Sequence, residues 1–311
     1  MKIVFFGNTE FSKHILISLV SQGFDLVGVV ANPDKARHRS SKLQPSCVKQ
    51  WVLDQGLDVP IFQPEKLGVG DFKEKVKSLG ADVFVVVAYG KILPQSVLDI
   101  PLLDCINVHA SLLPQYRGAS PIEAALIHGD GETGVSIMRM VKAMDAGPVF
   151  AMKRVEIKPR MDKEALVTCL KEAGSTALVE VLGQIEAKTI FPKEQDETSA
   201  TYVKKIVPED LKICWKENAQ TIFNKVRAYA PKPGAWMEVD FSGEVKRVKI
   251  LACEVLEAEG LPGKNVVFSK HAWVIGTGEG SIGVLKLQVQ GKKALDIKVF
   301  LLGCQREIIT L

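Results

Sequence analysis

The N-terminal half of the chain alternates short apolar runs with stretches of helical period. Residues 83–87, VFVVV, form an unbroken apolar run between polar neighbours, which is typical of a parallel strand covered on both faces. Further apolar runs occur at residues 2–6, 26–31 and 59–62, and helical patterns occur at residues 9–21, 46–55 and 71–79. This succession of strands and helices predicts a doubly wound, mostly parallel α/β sheet.

The pattern changes towards the C-terminus. After a helical pattern at residues 162–185, the segment PKEQDETSA at 192–200 is polar and poor in large apolar side chains, as linkers are. Another helical pattern at 218–228 is followed by short alternating strands, which are predicted at residues 235–239, 245–255, 273–276 and 284–289. We therefore predict an α/β domain at 1–191, a linker at 192–207 and a small β-barrel at 208–311.

Length and composition agree with two globular domains. The chain has 311 residues, of which 47% are hydrophobic and 24% charged, close to the average of folded proteins. The N-terminal stretch MKIVFFGNTE is typical of a strand and turn rather than of a secretion signal. No apolar run approaches the roughly 20 residues of a membrane-spanning helix. We expect a soluble, cytoplasmic protein without a membrane partner.

The cysteines and the charge distribution add two further expectations. The six cysteines are widely spaced without a C-x-x-C pair, and we expect reduced core residues. Residues 201–311 hold 17 Lys and Arg against 12 Asp and Glu, whereas the whole chain has 40 against 36. The basic excess therefore lies in the C-terminal part, which favours a polyanionic partner, although excesses of this size also occur on solvated surfaces.

Three loops are predicted at the carboxyl ends of the parallel strands, where open α/β sheets bind ligands. They are residues 7–9, the Tyr89-Gly90 pair and the stretch NVHASLLPQYRG at 107–118. The first loop lacks the G-x-G-x-x-G pattern, which argues against a nicotinamide cofactor. The glycine-rich string at 276–280 lies among hairpin signals and is interpreted as a turn.

Asn107 and His109 are the strongest candidates for chemistry. They alternate along one predicted strand end, so that both side chains point to the same side. A carboxamide N–H and an imidazolium N–H placed together stabilise a developing oxyanion, and a histidine also moves protons near neutral pH. From these two residues alone, a capping asparagine and a core histidine with satisfied hydrogen bonds remain the alternative.

The surrounding sequence is similar to that of a known family. The string NVHASLLPQYRGASP at 107–121 resembles the signature of the 10-formyltetrahydrofolate-dependent formyltransferases, and most of all that of the methionyl-tRNA formyltransferases. The resemblance continues through the strings GD at 129–130, TGVSIM at 133–138, MDAG at 144–147, LQ at 287–288 and GKK at 291–293. It implies a Rossmann-like catalytic domain followed by an OB-fold-like barrel that supports tRNA.

The same resemblance implies the site residues. Asn107, His109 and Asp145 correspond to the family's catalytic trio, with no metal ion. At residues 143–148 the chain reads AMDAGP where the family commonly has G-x-D-T-G-D, and the aspartate is retained. The co-substrate would be 10-formyltetrahydrofolate, a reduced folate, bound largely through backbone groups. The residues that correspond to this folate site are Tyr89, Gly90, Ser111, Leu112, Leu113 and Pro114.

The acceptor implied by the resemblance is methionyl initiator tRNA, used in translation initiation. A basic loop at residues 34–42 corresponds to the family's tRNA-gripping insertion, with Ser40 and Ser41 where the family has Gly and Lys. On charge alone this loop is a solvated segment. The residues expected to contact tRNA are Arg37, Arg39, Lys42, Lys204, Lys205, Lys246 and Arg247. We expect a monomer.

Two alternatives remain. The first is another folate-dependent N-formyltransferase, which would act on an amino-sugar nucleotide or a purine precursor with the same trio. A sugar enzyme has little use for the basic loop, and a single-domain purine enzyme would lack the basic C-terminal part. The second is a tRNA-binding module without catalysis, against which the retention of Asn107, His109 and Asp145 argues.

Overall fold

The structure is a computed structural model, and it describes residues 1–36, 43–303 and 308–310. Its strands are β1 (Lys2–Gly7), β2 (Asp25–Val30), β3 (Lys35–Ala36), β4 (Leu43–Gln44), β5 (Ile61–Phe62), β6 (Val83–Val87), β7 (Asp104–His109), β8 (Arg117–Gly118), β9 (Glu132–Arg139), β10 (Val149–Glu156), β11 (Tyr202–Val203), β12 (Ala235–Phe241), β13 (Val245–Leu256), β14 (Asn265–Phe268), β15 (Trp273–Gly276), β16 (Ser281–Val289), β17 (Leu295–Asp296) and β18 (Ile308–Thr310).

The helices follow the same chain order. They are α1 (Glu10–Ser21), α2 (Cys47–Asp54), α3 (Phe72–Lys77), α4 (Gln95–Leu98), α5 (Pro121–His128), α6 (Lys163–Glu186), α7 (Ala219–Tyr229) and α8 (Ile297–Gly303). Short 3-10 turns occur at Glu197–Ser199 and Pro208–Leu211. Among the helices of the described residues, none is both long enough and apolar enough to span a membrane.

The N-terminal sheet is mixed, with the strand order β10-β9-β7-β6-β1-β2-β5. The five strands from β5 to β7 pair in parallel, whereas β9 and β10 run antiparallel. From β1 the chain adds β2 and β5 on one side of the sheet. It then adds β6, β7, β9 and β10 on the other side. The strand order therefore reverses between β1 and β6, and the carboxyl ends of these strands form the topological switch point at which such sheets bind ligands.

The apolar runs of the sequence form the centre of this sheet. All five residues of β6 are buried, as the unbroken run predicts for a strand covered on both faces. On one face Phe84 and Val86 pack with Phe72 of α3 and Val97 of α4. Directly after β1, Thr9 caps α1. The Ser12 hydroxyl of α1 donates to the carbonyl of Val87 at the end of β6, 2.6 Å away.

The C-terminal part forms an antiparallel sheet with the order β14-β15-β16-β13-β12-β18, and β17 pairs with β16. Trp273, which is 1% exposed, stacks on Phe300 at a centroid separation of 6.1 Å within the core of this sheet. Helix α7 contributes the buried Ile222 and Val226 to the same core. The predicted fold class, an α/β Rossmann-like domain with a small barrel-like β-domain, is confirmed.

The chain divides into two compact units whose segments alternate along the sequence. Unit 1 consists of Met1–Pro121, Glu132–Glu156 and Val167–Lys204. Unit 2 consists of Ile122–Gly131, Ile157–Leu166 and Lys205–Leu311. Within unit 2, the buried Arg227 of α7 donates hydrogen bonds to the carbonyls of Pro159 and Met161, so the inserted segment and the C-terminal helix are joined directly.

Candidate active site

Asn8 ties together three strand ends at the carboxyl edge of the parallel sheet. Its Nδ2 donates to the carbonyl of Tyr89 at 2.6 Å, and its Oδ1 accepts from the backbone N–H of Asn32 at 2.7 Å. Asn32 Nδ2 also donates to the carbonyl of Tyr89, at 3.2 Å. The segments that follow β1, β2 and β6 are therefore linked by side-chain hydrogen bonds, which makes this edge of the sheet a rigid support.

His109 ends β7 and faces Asp145, which lies in the loop between β9 and β10. His109 is 6% exposed, and its Nδ1 lies 3.7 Å from Asp145 Oδ2. Its Nε2 lies 2.9 Å from the carbonyl oxygen of Tyr116. A carbonyl oxygen only accepts, so Nε2 carries a hydrogen and Nδ1 is the nitrogen that faces the carboxylate. Protonation of Nδ1 would then place an imidazolium against a carboxylate.

The backbone of Tyr116 to Gly118 orients both members of this pair. Tyr116 provides the carbonyl for His109, and the N–H of Gly118 donates to Asp145 Oδ2 at 2.8 Å. Tyr116 has φ +57° and Gly118 has φ +116°. A Cβ on Gly118 would collide with the carbonyl oxygen of Val203 in β11, so the close pairing of β8 with β11 requires a glycine here.

Asn107 lies two residues before His109 on β7, between Val86 of β6 and Met138 of β9. Because side chains alternate along a strand, Asn107 and His109 share one face of the sheet. Asn107 is partly buried, whereas His109 is almost fully buried. The structure therefore brings an amide donor, an imidazole and a carboxylate to the end of β7, within unit 1.

Tyr89 and Gly90 form the turn after β6. The Tyr89 side chain is 2% exposed, and burial raises the pKa of its phenol to about 12. Gly90 has φ +79°, and a Cβ built on it meets no atom within 4 Å. The turn thus leaves open space beside a main chain that a flat, polar ring can approach.

The segment from Ser111 to Pro114 is held against β9 by Ser136. The Ser136 hydroxyl donates to the carbonyl of Ser111 at 2.7 Å and accepts from the N–H of Leu113 at 3.0 Å. Ser111 and Leu113 are buried, whereas Leu112 and Pro114 are partly buried. Leu113 packs with Met138. This buried hydroxyl therefore joins two backbone groups of the segment to β9.

The residues predicted to contact tRNA are distributed over three places. Arg37, Arg39 and Lys42 lie outside the described residues. Lys204 ends unit 1 and Lys205 begins the last segment of unit 2, and both are exposed.

Lys246 and Arg247 are neighbours on β13 and point to opposite faces of the C-terminal sheet. Lys246 pairs with Val239 and forms an ion pair with Glu244 at 2.9 Å. Arg247 is exposed and its guanidinium carbon lies 3.8 Å from the centroid of the Trp236 ring. Strand alternation thus separates two residues that the sequence placed together.

Two more lysines share the face of Arg247. Lys249 pairs with Trp236 across β12 and β13. Lys212 Nζ lies 5.4 Å from the Trp236 ring centroid and 2.9 Å from Glu238 Oε2. Lys212 was missed by the sequence reasoning, since it precedes the first strand of the sheet and no local pattern assigns it to this face.

Gln195, in the polar segment at residues 192–200, was also missed as part of the site. Gln195 Nε2 donates to the carbonyls of Asp145 and Gly147, at 2.8 and 2.7 Å. Gln195 Oε1 accepts from the guanidinium of Arg117, which is fully buried. The polar composition of this segment indicated a linker, and no spacing in the sequence points to Asp145. Among the described residues there is no cluster of three or more side chains suited to hold a metal ion.

Comparison with known proteins defines the class. The family model described as "Formyl transferase" matches residues 1–182, and that of "Formyl transferase, C-terminal domain" matches residues 205–305. Fold and sequence therefore define a formyltransferase. The methionyl-tRNA formyltransferase of Kosmotoga olearia is 39% identical over 300 residues, which cover 96% of this chain and 94% of that protein. That of Thermotoga maritima is 41% identical over 297 residues, covering 95% and 93%. The chain belongs to the methionyl-tRNA formyltransferase family.

Solved structures share the fold at lower identity. HypX from Aquifex aeolicus, in complex with tetrahydrofolic acid, superposes with a TM-score of 0.67 at 18% identity, covering 97% of this chain and 47% of that chain. The N-formyltransferase from Helicobacter canadensis superposes with a TM-score of 0.66 at 16% identity, covering 91% and 98%. The fold is therefore shared with proteins of low sequence identity, and the fold alone does not select an acceptor.

Proposed function

We propose that Asn107, His109 and Asp145 are the catalytic residues with which this formyltransferase acts. The reaction transfers a formyl group from 10-formyltetrahydrofolate to the free amino group of methionyl initiator tRNA, for translation initiation. The observation that carries the assignment is the position of His109, whose two ring nitrogens lie 2.9 Å from the Tyr116 carbonyl and 3.7 Å from Asp145. Asn107 lies on the same face of β7.

In the proposed mechanism the amino group attacks the formyl carbon, and a C–N bond forms while negative charge develops on the formyl oxygen. Asn107 Nδ2–H and the His109 imidazolium stabilise this charge, and the carboxylate of Asp145 stabilises the imidazolium. The bond from the carbon to the folate nitrogen then breaks. The proton lost by the attacking nitrogen moves to the departing nitrogen through His109 or through a water molecule.

The chain's own residues suit a reduced folate at this edge of the sheet. Open space lies beside Gly90, and the Asn8 hydrogen bond fixes the carbonyl of Tyr89 next to it. Ser136 holds the backbone between Ser111 and Leu113 in one conformation. We propose that the folate ring binds between Tyr89-Gly90 and the segment from Ser111 to Pro114, mainly through backbone groups and apolar contacts.

We propose that tRNA binds basic residues of both units. In unit 2, Arg247 and Lys249 lie on one face of the sheet, and Lys205 is exposed. A guanidinium stacked on an indole keeps N–H groups available for phosphate oxygens. Arg37, Arg39, Lys42 and Lys204 are retained as proposed contacts from the sequence, and Lys246 as a contact from the opposite face of β13.

The remaining proposals concern the location, the oligomeric state and the domain boundaries of the protein. We propose a cytoplasmic monomer that meets no membrane. We also propose a catalytic domain at residues 1–191, a linker at 192–207 and a tRNA-binding domain at 208–311.

The proposed function is tested by acceptor competition. Purified protein is mixed with 10-formyltetrahydrofolate and with methionyl initiator tRNA, methionyl elongator tRNA or an amino-sugar nucleotide, and the formylated product is measured. We expect selective formylation of the initiator. Product from the sugar alone would overturn the assigned acceptor and leave the catalytic trio. Binding of folate and tRNA without turnover would indicate a binding module instead.

A further inference from the structure

The loop that carries Asp145 has little packing of its own. We define the Asp145 loop as residues 140–148, between β9 and β10. Its first half is exposed, with Val141 37% and Met144 59% exposed. Asp145 has φ +51°, a left-handed conformation that costs energy for a residue other than glycine. Contacts from elsewhere must therefore hold this conformation.

Gln195 supplies those contacts. Its Nε2 carries two hydrogens, and it donates to two carbonyls of the loop, Asp145 O at 2.8 Å and Gly147 O at 2.7 Å. These bonds fix the main chain on both sides of Ala146. The amide cannot be reversed without placing its oxygen against two carbonyl oxygens, so the side chain has one satisfactory orientation.

Arg117 in turn fixes the orientation of Gln195. Its Nε and Nη2 donate to Gln195 Oε1 at 3.1 and 2.9 Å. Its remaining donors bind the Glu197 carboxylate at 2.9 and 2.6 Å and the Tyr202 hydroxyl at 2.9 Å. All five guanidinium N–H groups therefore have partners, and the side chain is fully buried. Glu197 is the main cause that raises the pKa of Arg117, so the guanidinium stays charged.

The same short strand controls the other side of the site. Arg117 lies between Tyr116, whose carbonyl binds His109, and Gly118, whose N–H binds the Asp145 carboxylate. The Arg117 side chain thus reaches the Asp145 main chain through Gln195. The backbone groups of the two residues beside Arg117 bind the side chains of His109 and Asp145. Asp145 is held by its carboxylate and by its carbonyl from one structural element.

We propose that Gln195, oriented by Arg117, is a positioning residue that fixes the Asp145 loop so that the carboxylate faces His109 during formyl transfer. This inference rests on the proposed catalytic role of Asp145. It assigns Gln195, which lies in a segment with the composition of a linker, to the support of the catalytic site.

Two variants of Gln195 separate positioning from simple support of Arg117. Gln195→Ala removes both sets of hydrogen bonds. Gln195→Glu keeps an acceptor for Arg117 but cannot donate to the carbonyls of Asp145 and Gly147. The matched control is Ser199→Ala, because the hydroxyl of the exposed Ser199 donates to Asp196 of the same segment at 2.8 Å and does not reach the Asp145 loop.

We expect both Gln195 variants to lower kcat on the order of 10- to 100-fold, because small misplacements of catalytic groups cost that much. KM for folate and for tRNA should stay within about twofold, since Gln195 is not among the proposed substrate contacts. Amide hydrogen exchange in residues 140–148 should become faster in both variants. Ser199→Ala should match the wild type in all three measurements.

Recovery of wild-type kcat in Gln195→Glu would overturn the proposal, because support of Arg117 would then suffice. A loss of kcat that equals the loss of folded protein in a thermal melt would also overturn it. Asp145→Asn is measured in parallel. If Asp145→Asn keeps wild-type turnover, the proposed role of Asp145 fails together with this inference. If only Asp145→Asn is impaired, this inference alone fails.

Discussion

The guanidinium carbon of Arg247 lies 3.8 Å from the centroid of the Trp236 indole ring, on the exposed face of the C-terminal sheet. Arg247 pairs directly with Glu238, so its side chain reaches diagonally to Trp236 on the neighbouring strand. The ring restricts the rotamers of the arginine before any partner binds. A pre-ordered cation loses less conformational entropy on binding a phosphate than a free one does.

Arg247→Ala should therefore weaken tRNA binding more than Lys246→Ala does. Lys246 points to the other face and is paired with Glu244. If Arg247 contacts one phosphate, its removal should reduce the salt slope of log Kd by about 0.7 to 0.9, as for a single neutralised phosphate. Fluorescence anisotropy of labelled tRNA over a range of salt concentrations measures both quantities. Equal effects of the two variants would contradict the assignment of this face.

Asn107→Ala should fold normally and lose turnover. Removal of one oxyanion donor lowers kcat on the order of 100- to 1,000-fold, while the substrates still bind. Single-turnover formylation with excess enzyme measures the rate, and circular dichroism checks the fold. Gln50→Ala is the control, because Gln50 is an exposed amide on α2 that binds Asp54. Turnover of Asn107→Ala near the wild-type rate would remove Asn107 from the mechanism.

The Arg117–Glu197 pair should make stability depend on acid pH. A hydrogen bond from Arg117 is the main cause that lowers the pKa of the Glu197 carboxyl in the folded chain. The unfolded carboxyl has a pKa of about 4.3, so the unfolded state binds more protons below that pH. The stabilisation is present above the unfolded pKa and is lost as pH falls through the lowered folded value.

Urea unfolding midpoints of the wild type and of Glu197→Gln, measured between about pH 5 and pH 3, test this dependence. The two midpoints should differ most at the upper end of the range and converge as pH falls. Parallel curves over the whole range would mean that Glu197 titrates alike in the folded and unfolded chains.

Thiol labelling should divide four of the described cysteines into two classes. Cys105 and Cys253 are buried, and burial raises the pKa of both thiols, that of Cys253 to about 12. Cys169 and Cys214 are exposed, so the prediction of core cysteines was wrong for them. Cys169 lies on the exposed side of α6, whereas the next residue, Leu170, is buried. One position along the helix therefore separates an exposed side chain from a core side chain.

A thiol reagent added to the native protein at mildly alkaline pH should modify Cys169 and Cys214 first. Peptide mapping by mass spectrometry identifies the labelled positions. Cys105 and Cys253 should react only after a denaturant is added, because the thiolate is the reactive form and the site is closed. Rapid native labelling of Cys253 would show that the sheet around it opens.

Local patterns were sufficient where one element determines its own structure. The valine-rich run became β6 at residues 83–87, and the helical pattern that began at Thr9 became α1 with Thr9 as its cap. The antiparallel pair β9 and β10 was not predicted. Strand β9 is specified by its pairing with β7, in which His109 stands opposite Ser136, and such long-range register leaves no local trace.

The same limit applied to the site. Asn107 and His109 were found together because they alternate on one strand. Asp145 came only from the family resemblance, since it lies 36 positions after His109, with α5 and β9 between them. Gln195 could not be found at all, because a polar side chain that satisfies buried carbonyls has the same composition as one in solvent.

The alternation of the two units along the sequence limits how the gene can be divided. Residues 122–131 and 157–166 belong to unit 2 although they precede Lys205. A fragment that starts at Lys205 would leave Arg227 without the carbonyls of Pro159 and Met161, so a guanidinium that is buried in the whole chain would have lost its acceptors. Unit 2 is therefore not a segment that a cut at one junction could transplant, and its exchange between relatives would need three splice segments.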